Sequence, residues 1–287
     1  VSEQIVCLAA SFANAQKLPN LASHVLYLSA VSTMHRFAHR DFLRALPMLE
    51  ALHDRAPRHP DVLAWIARWH VLRVVQGWSE NAKFDAGRAL SFSDQALSRD
   101  DNCALALTVR GSAEIGVLGD VAAARAMYQR ALDVNPNESL AWLLKSVADG
   151  IAGQPAQAAE CAARAALLAP LHPYGFYYDS LRSTAALFAR EFDLAAALAE
   201  RSIRLNCMHG SAYRSLAISL ALRGKLYEAE SVVAQLLAVE PDCTLDDVRR
   251  RYGNLANANS DFIDALRRAG LPESRKTVVF SSIGVTA

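Results

Sequence analysis

A short motif recurs along the chain at a spacing of 34 residues, and this period constrains the fold more than any other feature. Each copy is rich in small and apolar residues and ends at a proline or an equivalent turn position. Pro136 and Pro170 are 34 residues apart, and so are Cys207 and Pro241. The one irregular interval, 37 residues from Pro170 to Cys207, contains the additional loop 171–175. A fixed period of this length is typical of solenoids, in which stacked units bury apolar faces that one unit could not bury alone.

The residues within each copy predict two antiparallel helices. A small residue late in the first half and another early in the second half let the helices approach closely. Larger apolar residues fill the space between units, and the final proline stops the second helix. In the unit 105–138 these positions are occupied by Gly119, Ala124, Tyr128, Ala131 and Pro136.

This pattern resembles the tetratricopeptide repeat (TPR). The resemblance implies an all-α fold, a right-handed superhelical solenoid of about six helix-turn-helix repeats with helical caps. We expect these units at 26–59, 61–102, 105–138, 139–172, 176–209 and 210–243.

Three of these units depart from the family pattern. Unit 176–209 has Arg190 where glycine is usual, and unit 61–102 carries extra residues around 77–82. Unit 26–59 keeps only its second helix clearly.

Capping segments are predicted at both ends of the repeats, because the terminal units of a solenoid would otherwise expose apolar surface. At the N-terminus, 1–25 is expected to supply a capping helix and to be the end of an upstream connecting region, since the chain begins with Val1 rather than methionine. At the C-terminus, 244–273 is expected to form two short amphipathic helices. The tail 274–287 is predicted to be poorly ordered, with an edge strand as the alternative.

Three segments together suggest a closer resemblance, namely 74–79 (VVQGWS), 172–178 (HPYGFYY) and 266–273 (LRRAGLPE). They are similar to the C-terminal repeat region of large bacterial signalling proteins. In that family an effector precedes the repeats, either a class III adenylate/guanylate cyclase domain or a winged-helix DNA-binding domain. The resemblance implies a regulatory role for this chain, most like the proteins that carry a cyclase. The motifs of neither effector occur in the 287 residues.

Composition excludes several other classes of protein. Thirty basic and 29 acidic side chains leave a net charge of +1, without the basic excess of a nucleic-acid binder. No stretch of about 18 uncharged apolar residues suggests a membrane span. The five scattered cysteines favour reduced thiols over a disulfide framework, so a cytoplasmic location is expected.

The chain shows no convincing catalytic, cofactor or metal site. His35 and His39 lie four residues apart, but Arg36 and Arg40 beside them would repel a cation, so a solvated pair is expected. Neither a phosphate-binding glycine loop nor a serine-nucleophile motif occurs. We therefore expect a non-catalytic chain that needs no cofactor.

A protein or peptide partner is expected on the concave wall, which the first helix of each TPR pair lines. Tyrosine and arginine are common among the residues that contribute most to interfaces, and an apolar groove suits an extended or helical peptide. The repeat frame places on this wall His70, Arg73, Val109, Ala113, Leu143, Val147, Tyr177, Thr184, Arg214 and Ile218.

Two interpretations of this wall stay open at the sequence level. Tyr177, Tyr178 and Tyr213 could instead belong to the core between repeats. A set of arginines would let the groove take an acidic segment or a phosphate if several faced it. These are Arg68, Arg73, Arg110, Arg182 and Arg214.

The predicted function is therefore a protein–protein interaction and regulatory module of a bacterial signalling protein. The alternatives are the repeat region of a winged-helix transcriptional regulator and a self-assembly scaffold that forms homo-oligomers.

Overall fold

The computed structural model describes residues 22–36, 38–169, 174–252 and 260–275, and these residues form helices without any strand. The all-α prediction is confirmed. Residues 1–21 of the predicted N-terminal capping segment and residues 276–287 of the tail lie outside the described residues. The helices, in chain order, are α1 (Ser23–Met34), α2 (His39–Arg55), α3 (Pro60–Val75), α4 (Ala82–Arg99), α5 (Ala104–Ala113), α6 (Val121–Val134), α7 (Ser139–Ile151), α8 (Pro155–Leu168), α9 (Gly175–Phe188), α10 (Phe192–Leu205), α11 (Gly210–Leu222), α12 (Leu226–Val239), α13 (Leu245–Tyr252) and α14 (Ser260–Arg268).

The first twelve of these helices form six successive hairpins, from α1–α2 to α11–α12. Within each hairpin the two helices pack along their length, and α3, α5, α7, α9 and α11 pack one against the next. The result is a stack in which the first helix of each hairpin faces inwards. The first hairpin has two complete helices, although the sequence indicated only its second one clearly.

The tight turns between paired helices require a left-handed backbone, which glycine adopts without steric cost. Gly119, Gly153 and Gly224 take this conformation, with φ between 71° and 79°. Arg190 takes it at the equivalent turn with φ 65°. Its guanidinium forms an ion pair with Asp261 and lies 5.0 Å from the centre of the Phe262 ring. The departure from glycine is therefore explained by contacts with the C-terminal helix α14.

Small residues set the distance between paired helices. A Cβ atom on Gly111 would lie 2.6 Å from Cε1 of Tyr128, so only glycine fits where α5 crosses α6. Ala124, Ala195 and Ala229, each early in a second helix, have no exposed surface. This agrees with the role that the sequence pattern gave to small residues.

The second hairpin is enlarged because its connecting loop folds over a buried carboxylate. Asp85 of α4 is 1% exposed and accepts a hydrogen bond from Ser79 Oγ at 2.5 Å. His70 Nδ1 lies 2.7 Å from Asp85 Oδ1, and Arg73 Nη1 lies 3.4 Å from Oδ2. The extra loop therefore supplies Ser79 to a network that joins α3 to α4.

At the C-terminal end, α13 and α14 pack against the last hairpin. Phe262, Ile263 and Leu266 of α14 share a buried cluster with Leu220 of α11 and Leu236 of α12. This covers apolar surface of the terminal hairpin, the role expected of a cap.

The curvature of the stack brings the first hairpin into contact with the fifth. His35, at the end of α1, stacks on Tyr174, which precedes α9, with ring centres 4.7 Å apart. Asn206, which follows α10, donates a hydrogen bond from Nδ2 to the carbonyl oxygen of Arg36 at 3.2 Å. His35 is 5% exposed, so the expectation of a solvated His35–His39 pair was wrong. The inner face is thus enclosed on several sides.

Candidate binding groove

The inner helices of hairpins two to six, together with α13, surround a groove of about 1160 Å³ that is open to solvent. Its walls are mainly apolar. The apolar residues that line it include Leu72, Ile115, Leu144, Val147, Ile151 and Phe188. We refer to this cavity as the groove.

Four of the residues predicted on the concave wall do line the groove: Val147, Tyr177, Thr184 and Arg214. They come from α7, α9 and α11, so the structure brings residues from three hairpins to one cavity. Tyr177 is also 5% exposed and packs in a cluster of buried apolar residues that includes Trp69 and Leu143. The two sequence-level interpretations of this residue, core and groove, therefore both describe it.

Four other predicted wall residues are buried between helices, which corrects their assignment to the groove surface. Val109, Ala113, Leu143 and Ile218 each have 0% exposure. The structure explains the difference on α7, where Leu144, Val147 and Ile151 face the groove and Leu143 turns towards the core. A rotation of one residue along a helix, about 100°, separates the two faces.

His70 and Arg73 are also placed away from the groove, because both hold Asp85 as described above. Burial lowers the pKa of His70, although its hydrogen bond to Asp85 opposes this shift. These two side chains stabilise the enlarged hairpin, and their predicted contribution to the groove wall is corrected.

Arg68 also lines the groove, although the predicted wall set did not include it. Its side chain lines the groove from α3 and is 1% exposed. Nη2 donates a hydrogen bond to the Tyr177 hydroxyl at 3.2 Å, and Cζ lies 5.8 Å from the centre of the same ring. Nε has no hydrogen-bond partner. A buried guanidinium with an unused donor is unfavourable unless a further group binds it.

Arg214 carries the second positive charge of the groove. Its Nη1 lies 2.8 Å from Oε2 of Glu240, and its side chain is 8% exposed. Beside it, His209 Nε2 lies 3.0 Å from Ser180 Oγ. Burial lowers the pKa of His209 to about 3, and the nearby Arg214 charge acts in the same direction. His209 is therefore neutral at physiological pH, and the two arginines carry the charge.

Of the five arginines considered together in the sequence, two reach the groove. Arg68 and Arg214 line it, whereas Arg110 forms ion pairs with Asp94 and Glu114 and Arg182 contacts Asp179 at 3.7 Å. Among the described residues that line the groove there is no aspartate or glutamate. The groove is thus an apolar surface with the positive charge of Arg68 and that of Arg214, which Glu240 already balances.

Two further features, a metal-binding group of side chains and a membrane-spanning helix, are absent from the described residues. Histidine, cysteine and carboxylate side chains do not form a group of three that could hold a metal ion in the described ranges. Within the same ranges, no helix is both long enough and apolar enough to cross a bilayer.

Comparison with solved structures gives the fold. The chain superposes on a TPR protein from Thermus thermophilus with a TM-score of 0.52 and 17% identity, over 69% of this chain and 99% of the other. The fold is that of a TPR protein. The APC/C hetero-tetramer Cut9–Hcn1 matches with a TM-score of 0.63 and 14% identity, over 91% of this chain and 48% of the other.

The type IV pilus biogenesis factor PilW also shares the TPR fold, with a TM-score of 0.52 and 20% identity over 72% of this chain and 90% of the other. No family model matches the sequence, and no curated protein matches it. At these identities the similarity establishes the TPR fold and the predicted helical solenoid.

Proposed function

We propose that this TPR chain is a non-catalytic interaction module, and that its groove binds a segment of a protein partner that carries an acidic side chain between apolar ones. The observation that carries the proposal is the Arg68 guanidinium, which is buried, lines the groove and has an unused Nε donor. A carboxylate is the protein group that best satisfies an arginine, because it accepts charge-assisted hydrogen bonds.

The composition of the groove supports a peptide of this kind. Apolar residues such as Leu144 and Val147 would bury apolar side chains, while Arg68 provides a positive charge. Arg214 is a second guanidinium in the lining, and it already pairs with Glu240. Since carboxylates are absent from the described lining, an acidic ligand would meet no like charge there. Charge complementarity of this sort favours the correct partner and disfavours basic segments.

Peptide binding tests this proposal. A fluorescein-labelled peptide of alternating leucine and glutamate is titrated with the chain, and fluorescence anisotropy is compared with that of the glutamine version. We expect the acidic peptide to bind more tightly, and Arg68→Met to remove the preference for glutamate. Arg110→Met, on an arginine that already has acidic partners, is the matched control. Equal affinity for both peptides, or an unchanged preference in Arg68→Met, would contradict the proposal.

The wider role that we propose is regulation of an effector in a bacterial signalling protein. It rests on the sequence resemblance alone, which favours an adenylate/guanylate cyclase and leaves a winged-helix transcriptional regulator as the alternative. Binding in the groove would shift the array between conformations and so change the state of the effector. The coding sequence upstream decides between the two, since a cyclase has metal-binding aspartates there. Effector output that is the same with and without the repeats would exclude regulation.

Self-assembly is the remaining alternative and has one structural observation in its favour. Leu205, Met208 and Tyr227 are exposed by 60%, 55% and 85%, which leaves apolar surface that a second copy of the chain could cover. Sedimentation velocity of the chain distinguishes the alternatives, because a scaffold would sediment as a stable oligomer. We also propose a cytoplasmic location, which suits the reduced thiols of Cys103, Cys161 and Cys207.

A further inference from the structure

A second cavity lies beside the groove and has a different chemistry. It has a volume of about 820 Å³ and is open to solvent. It lies between α1 and the beginnings of the inner helices α3, α5, α7 and α9. Its lining includes the aromatic side chains of Tyr27, His35, Trp65, Tyr174, Tyr177 and Tyr178, together with the aliphatic side chains of Val31, Leu105 and Leu140. We refer to this cavity as the cage.

The rings of the cage are held in place by one another. Trp65 Nε1 donates a hydrogen bond to the Tyr27 hydroxyl at 2.8 Å, and the two rings meet edge to face with centres 6.5 Å apart. His35 lies edge to face with Trp65 at 5.6 Å and stacks on Tyr174. The Tyr178 hydroxyl is 2.8 Å from Ser139 Oγ. The walls are therefore built before any ligand arrives, which reduces the entropy cost of binding.

The lining of the cage also contains two carboxylates, those of Asp61 and Glu138. Its described residues include no lysine or arginine. Neither carboxylate forms an ion pair with a lysine or arginine in the described part of the chain. Asp61 Oδ1 is 3.3 Å from the thiol of Cys103. Burial raises the pKa of Glu138, and Asp61 raises it further, while the N–H of Leu140 and the charge of Arg68 oppose the shift.

We propose that the cage binds an organic ammonium cation, with the aromatic faces around its alkyl groups and Asp61 and Glu138 balancing its charge. Aromatic rings attract such cations through the negative potential of their faces, and the attraction is stronger when the cation is desolvated. Nearby carboxylates add a Coulomb attraction of the same sign. The inference does not depend on the proposed peptide ligand of the groove.

The same chemistry occurs in two sources, a free alkylammonium metabolite and the methylated lysine side chain of a peptide. Small hydrated ions such as Na⁺ share the charge but lack the alkyl surface that the rings would cover. The size and apolar surface of the cation therefore decide between the cage and a simple acidic site.

Calorimetric titration of the full chain with tetramethylammonium chloride tests the inference, with sodium chloride at equal ionic strength as the reference. We expect saturable binding of tetramethylammonium and none of sodium. Glu138→Gln should weaken binding about tenfold, and the double change with Asp61→Asn should abolish it. Glu160→Gln, on an exposed residue of α8, is the matched control and should bind as the unmodified chain does.

Tyr27→Leu keeps both carboxylates and removes one aromatic face, so it separates the role of the rings from that of the charges. Circular dichroism melts of every variant establish that it is folded. Choline and a peptide with trimethyllysine are then compared to identify the source of the ammonium group. Binding of sodium as tight as that of tetramethylammonium, or equal affinity in Glu138→Gln and Glu160→Gln, would overturn the inference. So would full affinity in Tyr27→Leu.

Discussion

The groove and the cage share Tyr177, whose hydroxyl accepts a hydrogen bond from Arg68, yet the charges of their linings are opposite. Tyr177 lines both cavities. On one side the lining holds Arg68 and Arg214 and, among its described members, no carboxylate. On the other it holds Asp61 and Glu138 and, among the residues described there, no lysine or arginine.

The difference shows how one inner surface can carry two binding chemistries. The cage is lined mainly by the first residues of inner helices, such as Asp61 of α3 and Ser139 of α7, whereas the groove is lined by later residues of the same helices, such as Leu72 and Val147. On α3, α5 and α7, position along the helix therefore decides which cavity a residue reaches. Four changes would break or sharpen this comparison, from the largest expected effect to the smallest.

Asp85→Ala tests whether His70 and Arg73 stabilise the second hairpin through their contacts with Asp85. Removal of the buried carboxylate leaves Arg73 and the Ser79 hydroxyl without their partner, so we expect the free energy of unfolding to fall by about 3–5 kcal/mol. Urea unfolding measures it. Asp94→Ala removes an exposed partner of Arg110 and should cost less than about 1 kcal/mol. A small effect of Asp85→Ala would mean that the network does not stabilise the enlarged hairpin.

Arg68→Met tests whether Arg68 contributes to peptide binding or to the stability of the fold. We expect a loss of about 2–3 kcal/mol in the binding of an acidic peptide, because one member of a buried charge pair would be missing. The free energy of unfolding should stay within about 1 kcal/mol or rise, since a buried charge without an ion-pair partner is replaced by an apolar side chain. Tetramethylammonium should still bind the cage. A large loss of stability would instead make Arg68 a structural residue.

Gly111→Ala changes the wall of the groove and leaves the cage intact. The new Cβ would press on Tyr128, which lines the groove, so we expect destabilisation of about 1–3 kcal/mol and weaker peptide binding. Gly87→Ala is the opposite control, because nothing lies within 4 Å of its Cβ position. In the interior of α4 this alanine should stabilise by about 0.5–1 kcal/mol. Thermal melts compare the two.

The pH dependence of stability tests the neutral state of His209. Its pKa is about 3 in the folded chain and near the ordinary 6.5 when unfolded, so below pH 6.5 the unfolded chain binds a proton that the folded chain does not. This residue should therefore remove about 1.2 kcal/mol of stability as the pH falls from 6 to 5. His209→Gln should flatten the curve of unfolding free energy against pH by this amount. An unchanged slope would show that His209 is protonated in the folded chain.

The sequence predicted the helical solenoid because its signal is local. The 34-residue period and the turn glycines depend only on residues that are close in the chain, and the hairpins follow from them. The face that each inner helix turns to the groove was predicted less well. Leu143 and Leu144 are equally apolar neighbours, and which of them faces the groove depends on how α7 packs between its neighbouring helices.

The cage could not be predicted at all from the repeat pattern. Tyr27 and Glu138 are far apart in sequence and lie in different hairpins, and Tyr27 fell in the unit whose first helix the pattern indicated least clearly. In the sequence, Arg68 is one of several arginines of the inner helices. No local pattern distinguishes a guanidinium without an ion-pair partner from one that has an acidic partner. Such sites depend on contacts between distant hairpins. The repeat period of a sequence reports the pairing of neighbouring helices and gives no signal for these distant contacts.

The contact of the first hairpin with the fifth has a mechanical consequence. A repeat array joined only through neighbours lengthens under tension by small rotations at every joint. Here the stacking of His35 on Tyr174 and the bond from Asn206 to Arg36 tie two distant points of the coil. Pulling on the two ends should first break this tie, so that the chain yields in a discrete step at low force before it extends gradually.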